Sequence, residues 1–274
     1  MLSVRTLYAV DPVATKAMDT STLRENFHVG GLFEPGKMNL TYTHYDRMIV
    51  GGIVPDGASL TLDEVKEAGT ASILDRREIG ILNLGETANV SAGGESHSLN
   101  RGDILYLGMG AGAITFDAPG RFYIVSTPAH RTLPSKLVKI EDAGALSLGS
   151  AETANDRTIY MFIHPDVMKS CQLVMGYTMF HGGSVWNTMP AHLHDRRMEA
   201  YLYFDLADEN RVFHFMGQPE ETRHLVMKNE EVAVSPPWSI HCGAGTGSYT
   251  FCWAMAGDNV DYKDVEMVPM EDLR

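Results

Sequence analysis

The stretch NTMPAHLHDRRMEAYLYF, from Asn187 to Phe204, decides how the chain is read. Its last six residues alternate: Glu199, Tyr201 and Tyr203 fall on one side, and Ala200, Leu202 and Phe204 on the other. That is the two-residue period of a β-strand. The part before it carries two histidines, two arginines and an aspartate, a set that a surface loop does not need and a hydrophobic core would not tolerate. His192 and His194 are two apart, so on a strand they point to the same face. Glu199 is five beyond His194, the wrong parity for one straight strand. Asp195 to Met198 must then contain a turn or bulge that returns Glu199, on a neighbouring strand, beside the imidazoles.

Outward from this stretch, strand signals dominate in both directions. REIGILNL (Arg77–Leu84), DILYLGM (Asp103–Met109), RFYIVST (Arg121–Thr127), TIYMFI (Thr158–Ile163), CQLVMGYTMF (Cys171–Phe180), EAYLYFDL (Glu199–Leu206), RVFHFMG (Arg211–Gly217) and SYTFCWAM (Ser248–Met255) are short, rich in β-formers and separated by glycine turns. Two short helices are expected, one from the capping box Thr61–Glu64 through Ala68 and one over Ser21–Phe27. The polar segment Thr132–Asp156 reads as a connection. HSLNRGDILYLGMGAGAITF (His97–Phe116) and HLVMKNEEVAVSPPWSIHCGAGTGSYTF (His224–Phe251) share a polar turn, a strand, a Gly-rich bend and a second strand. They form a weak internal repeat. The expectation is all-β: two jelly-roll domains, residues 1–140 and 141–274, with few helices.

The 274 residues carry a formal net charge of −13, and 44% are apolar. This composition is globular, and the acidity argues against nucleic acid as a partner. Three cysteines without CxxC spacing give no disulfide framework, and no apolar run approaches the ~20 residues of a membrane helix. The default is a soluble cytoplasmic protein acting on a small molecule.

A fourth partner for His192, His194 and Glu199 is expected downstream. His241 follows the stiff Ser235-Pro236-Pro237-Trp238 and precedes Gly243. Three imidazoles and one carboxylate suit a divalent first-row ion: zinc, iron(II), manganese, nickel or cobalt. The remaining histidines, His214 among them, read as packing or surface residues.

H-x-H-x4-E followed by a later His resembles the metal motif of cupins. The flanking text is more specific: SCQLVMGYT, GSVWNTMPAHLHDRRMEAYLYFD, MGQPEETRH, SPPWSIHCGAGTGSYTF, WAMAGDN, YDRMIVGGIVP and RREIGILNLG. Over Asn26–Arg274 the chain resembles the 4-deoxy-L-threo-5-hexosulose-uronate ketol-isomerase family of bicupins. The resemblance implies zinc on His192, His194, Glu199 and His241 of the second domain, and a first domain without metal. It also implies a homohexamer and the aldose–ketose isomerisation of 5-keto-4-deoxyuronate to 3-deoxy-D-glycero-2,5-hexodiulosonate in pectin or polyuronide breakdown. Gly257-Asp258-Asn259 and Asp264-Val265-Glu266 depart mildly from the family's tail. A related bicupin activity, 5-deoxyglucuronate isomerisation in inositol breakdown, is the nearest alternative; an iron(II) dioxygenase and a non-catalytic sugar-acid binder are the others.

Such an isomerisation removes a proton beside a carbonyl and passes through an enediolate, or moves a hydride directly. The sequence does not name a base. Tyr201 and Tyr203 share the parity of Glu199, and Tyr249 lies beyond the His241 bend, so these three are the candidates. The substrate carboxylate calls for a cation in an acidic protein, and Arg196, Arg197 and Arg223 are the candidates. Trp186 is a candidate pocket wall.

Overall fold

A computed structural model describes residues 1–258 and 264–274. The chain forms two compact units. Unit 1 comprises Met1–Leu7, Gly31–Gly144 and Phe162–Met175; unit 2 comprises Tyr8–Gly30, Ala145–Met161 and Gly176–Arg274. Each unit thus takes a segment from the other half of the sequence. A single cut between residues 140 and 141 leaves residues 8–30, 141–144 and 162–175 on the far side from their own units.

Unit 1 is two facing sheets. The larger runs in the order Leu2–Leu7, Lys37–Thr43, Ile49–Val54, Phe122–Pro128, Arg77–Asn83, Ile104–Leu107 and Lys136–Val138; the smaller runs Leu60–Leu62, Ile114–Phe116, Ala88–Ala92 and Glu95–Leu99. Between them lies a hydrocarbon core of Leu62, Ile79, Ile81, Val90, Leu105, Leu107, Ile114, Phe116, Phe122 and Ile124, all at most 1% exposed. This β-rich architecture is the expected jelly roll.

Unit 2 repeats the order. Its larger sheet runs Gly144–Leu148, Arg157–Ile163, Val174–Phe180, Thr250–Gly257, Arg197–Phe204, Glu231–Ser235 and His28–Val29, and its smaller sheet Trp186–Asn187, Cys242–Gly245, Val212–Gln218 and Glu221–Met227. Arg197–Phe204 lies between Thr250–Gly257 and Glu231–Ser235, so all eight of its residues are buried. The facing residues here include histidines and tyrosines, where unit 1 has hydrocarbon.

The buried carboxylate Glu78 holds part of unit 1 together. It accepts from the backbone N–H groups of Gln172 and Leu173 and from Thr127 Oγ1 at one oxygen, and from Cys171 N–H and the Tyr106 hydroxyl at the other, at 2.6–3.2 Å. Gly80 lies close by: a Cβ there would come within 2.7 Å of Met175 Sδ and 2.8 Å of Ile163 Cδ1. The glycine leaves room for side chains of the 162–175 segment.

Three local expectations are corrected. Thr61–Ala68 is not a helix: Leu60–Leu62 is a strand and only Lys66–Ala68 makes a 3₁₀ turn, because Leu62 and Val65 are drawn into the core. Cys171–Leu173 does not continue the strand that starts at Val174, since its N–H groups are turned onto Glu78. Thr132–Asp156 is no bare connection, for it supplies the strands Lys136–Val138 and Gly144–Leu148. The second expected helix is present as Thr20–Phe27, capped by Asp19, which accepts from Thr22 N–H.

Candidate metal centre

His192, His194, Glu199 and His241 come together in unit 2, each offering a ligand atom within 4.8 Å of the others. The chain achieves this by a break in strand direction. His192–Leu193 pairs with Glu266–Met267, a turn closes where Arg197 N–H donates to the His194 carbonyl, and Glu199 follows on the long strand opposite Met255 and Ser235. The expected turn is present, but the strand of His192 is hydrogen-bonded to the C-terminal segment and not to that of Glu199. His241 arrives after a turn in which Ser239 N–H donates to the Pro236 carbonyl, and the Ile240 N–H is tied to Gly217.

Hydrogen bonds aim the rings. His194 Nδ1 lies 2.9 Å from the Arg197 carbonyl, and His241 Nδ1 lies 3.3 Å from the Ser239 carbonyl. A carbonyl only accepts, so both Nδ1 atoms carry the proton and the Nε2 lone pairs point inward. They meet the same Glu199 Oε2 at 3.2 and 3.0 Å, and His241 Nε2 also faces His192 Nε2 at 3.0 Å. Lone pairs converging in a site where Glu199 is 3% exposed need a positive charge between them. A divalent cation fits that need and this donor set.

Without an ion, protons on the Nε2 atoms of His194 and His241 take the place of that charge and donate to Glu199, and the electrostatics describe this protonated state. Burial alone would raise the Glu199 pKa, but His241 and His194 outweigh it and hold the carboxyl well below its usual range. Burial, followed by the His241 charge, pushes His192 down to about 3. For His194 burial opposes the charged form, yet the hydrogen bond and charge of Glu199 raise its pKa.

The candidate tyrosines separate. Tyr201 is next to the cluster, its ring centroid 5.7 Å from His241 and its hydroxyl 3.4 Å from Thr188 Oγ1. Tyr203 is bound to His214 Nδ1 at 2.7 Å, and Tyr249 donates to the Val185 carbonyl at 3.1 Å. Burial first, then neighbouring groups, raise all three pKa values well above the ordinary phenol.

Each candidate arginine is paired within the chain. Arg196 makes a two-pronged bond to Asp258 on the surface. Arg197 is 0% exposed and its guanidinium bonds Asp264 at 2.7 and 3.3 Å. Arg223 pairs with Glu221 at 2.8 Å. Trp186 is 37% exposed and stacks on Phe215, whereas its neighbour Asn187 is fully buried. Trp186 lines a cavity with Met189, Phe215 and Ile240, although parity does not run to it from His192, since the strand stops at Asn187 and Thr188 takes a positive φ of 49°. Asn259 of the WAMAGDN motif lies outside the described residues.

Sequence reasoning missed His214, Asn187 and Asp264. His214 had a signal: in VFHFM it shares the buried face with Val212 and Met216. Asp264 had none, since its partner Arg197 is far away in sequence, and Asn187 had none, since the groups gathered around it, Gly243 and Tyr203, lie on other strands.

The chain matches the KduI/IolB family over residues 30–270. It is 70% identical over 274 residues, all of both chains, to the 4-deoxy-L-threo-5-hexosulose-uronate ketol-isomerase of Cereibacter sphaeroides. The protein of that name from Agrobacterium fabrum is 61% identical, again over the whole of both chains. Among solved structures, an IolB-like protein of Salmonella typhimurium superposes with a TM-score of 0.65 at 16% identity, covering 81% of this chain and 86% of that one. Lactobacillus farciminis oxalate decarboxylase gives a TM-score of 0.58 at 10% identity over 81% and 79%. These distant likenesses establish the cupin-type fold, and the family match together with the full-length identities establishes that this chain belongs to the KduI/IolB family.

Proposed function

We propose that this chain is the ketol-isomerase of 5-keto-4-deoxyuronate, converting it to 3-deoxy-D-glycero-2,5-hexodiulosonate in polyuronide breakdown, with a divalent ion, zinc, on His192, His194, Glu199 and His241. The carrying observation is the inward convergence of three imidazoles and a buried carboxylate in a chain 70% identical to proteins so named. A bound ion would supply Lewis acidity for the negative charge that develops on oxygen during the isomerisation.

The chain's own residues set the stage for that chemistry. The Arg197 and Ser239 carbonyls keep His194 and His241 in the tautomer that ligates. Tyr201, with its raised pKa, keeps its proton on Oη and serves as a hydrogen-bond donor beside the cluster. None of the three tyrosines has the pKa of a general base at neutral pH. Proton transfer falls to another group or is replaced by a hydride shift; solvent deuterium appearing at the product carbon marks the former. Of the arginines, Arg196 is the one we assign to a substrate carboxylate. Its ion pair with Asp258 is exposed on both sides, and such pairs contribute only about 0–1 kcal/mol.

No helix among the described residues is long and apolar enough to cross a membrane. A cytoplasmic homohexamer is part of the same proposal and rests on the family resemblance. The test is turnover of freshly prepared 5-keto-4-deoxyuronate followed by NMR, before and after chelation and zinc return. Conversion that chelation abolishes and zinc restores is expected. No conversion by the metal-loaded protein sinks the proposal, and 5-deoxyglucuronate becomes the next substrate.

A further inference from the structure

Behind the four-residue cluster, the interior of unit 2 is polar where unit 1 is hydrocarbon. In unit 1 the inward positions of the smaller sheet are Leu62, Ile114, Phe116 and Val90. In the matching strands of unit 2 they include Asn187, Gly243 and His214, which lie side by side, since Gly243 pairs with both Asn187 and His214. On the facing sheet, Ile79 and Ile81 of unit 1 give way to Glu199, Tyr201 and Tyr203 on the corresponding strand. One fold packed twice in one chain provides its own control: the architecture does not require these polar groups, and burying them costs stability.

Most of them are satisfied. His214 joins the Tyr203 hydroxyl at 2.7 Å to Ser235 Oγ at 3.2 Å, and burial, then the His241 charge, pushes its pKa down to about 3, so the ring is neutral. Asn187 is the exception. It is 0% exposed, and neither its Oδ1 nor its Nδ2 has a close hydrogen-bond partner; its one described polar interaction is with the Tyr203 phenol, whose pKa it lowers against the larger effect of burial. Its amide and the Tyr203 hydroxyl gather over the bare α-carbon of Gly243, where a Cβ would lie 3.2 Å from Asn187 Oδ1 and 3.3 Å from the Tyr203 oxygen. A buried amide with no close partner at either end has room in its bonding for a ligand group that donates and accepts at once. A hydroxyl is such a group. The Tyr201 ring spans from this spot to the cluster, 5.5 Å from His214 and 5.7 Å from His241, and its hydroxyl meets Thr188, the residue after Asn187.

We infer that Asn187, backed by Tyr203 and His214, is a specificity subsite that receives the hydroxyl on the carbon next to the reacting pair of an open-chain sugar acid. The identity of that acid rests on the function proposed above. A six-carbon acid isomerised between its first two carbons carries this hydroxyl on the third, one carbon beyond the atoms held at the cluster.

The experiment compares metal-loaded wild type with Asn187→Leu, which installs the kind of side chain unit 1 uses. Substrates are 5-keto-4-deoxyuronate and its analogue lacking the third-carbon hydroxyl. The Leu variant is expected to keep its metal and its Tm, because an apolar replacement removes the unsatisfied amide. It should lose about 10²-fold in kcat/KM on the hydroxylated substrate and no longer distinguish the two compounds. Unchanged kcat/KM with a raised Tm overturns the inference and assigns the amide to a buried water only. Should the variant not fold, wild type decides alone: equal turnover of both compounds overturns the subsite, and a preference of at least about tenfold supports it. Should wild type convert neither, the proposed function fails. The subsite is then decided by calorimetric titration of both compounds into both proteins, where binding of the hydroxylated compound no tighter than that of the analogue in wild type overturns it, and a preference lost in the Leu variant supports it.

Discussion

Glu78→Gln preserves shape and removes charge at the most heavily bonded carboxylate described in unit 1. Its two oxygens accept three backbone N–H groups and two hydroxyls. A carboxamide has only one accepting oxygen. If its NH₂ takes the place of Oε2, the Tyr106 hydroxyl rotates to accept, but Cys171 N–H is left against another donor; if it takes the other place, Gln172 and Leu173 are left so. At least one backbone donor is orphaned in either orientation, at roughly 1–3 kcal/mol, and the surviving bonds fall from charge-assisted to neutral strength, so the total loss is about 3–5 kcal/mol. The chain has two units, so one global unfolding free energy is not well defined. The assay is therefore hydrogen exchange of the Cys171, Gln172 and Leu173 amides, with denaturant unfolding of unit 1 followed alongside and bound metal as a control. Protection at these three amides should fall by two to three orders of magnitude, the equivalent of about 3–4 kcal/mol. Amides as protected as in wild type, with unfolding displaced by less than about 1 kcal/mol, would refute the reasoning.

Glu199→Gln takes away the charge on which two inward lone pairs converge. The expected result is a loss of metal affinity of at least about 10²-fold in competition with a graded chelator series, with the fold retained. Asp264→Asn leaves the fully buried Arg197 guanidinium without its counter-ion, which costs roughly 3–5 kcal/mol and loosens the carbonyl that orients His194. Thermal unfolding and metal competition should both register it. For His214, a folded pKa of about 3 lies below the ordinary 6.5. The unfolded chain then binds the extra proton between those values, so this contribution is complete above pH 6.5 and is lost as pH falls toward 3. His214→Gln should flatten the acid limb of the stability–pH curve of the metal-free protein; an unaltered limb would count against it.

Much of this was legible in the chain. The alternation of EAYLYF gave a strand with Glu199, Tyr201 and Tyr203 on one face, and the parity break after His194 required the turn that the structure has at Asp195–Arg196. The four cluster residues were visible because ligand chemistry restricts residue type and spacing within a short stretch plus one distant histidine. What stayed hidden depends on long-range pairing. Nothing near Glu78 in sequence announces that its acceptors are filled from residues 171–173. Arg197 read as a substrate cation because Asp264 is 67 residues away. Thr61–Glu64 had the local grammar of a helix start, and tertiary burial of Leu62 and Val65 overrode it.

The interleaving of the two units has a consequence for biosynthesis. A nascent chain emerging from the ribosome has residues 1–144 long before the 162–175 segment that unit 1 still lacks, while residues 8–30 wait for a unit 2 that is completed only near residue 274. Early in translation the Glu78 carboxylate faces solvent or a chaperone instead of its three amides. The same threading bears on splitting the gene. Fragments divided at the midpoint would each be short of a piece that the other holds, and would regain structure only by trading those pieces when mixed.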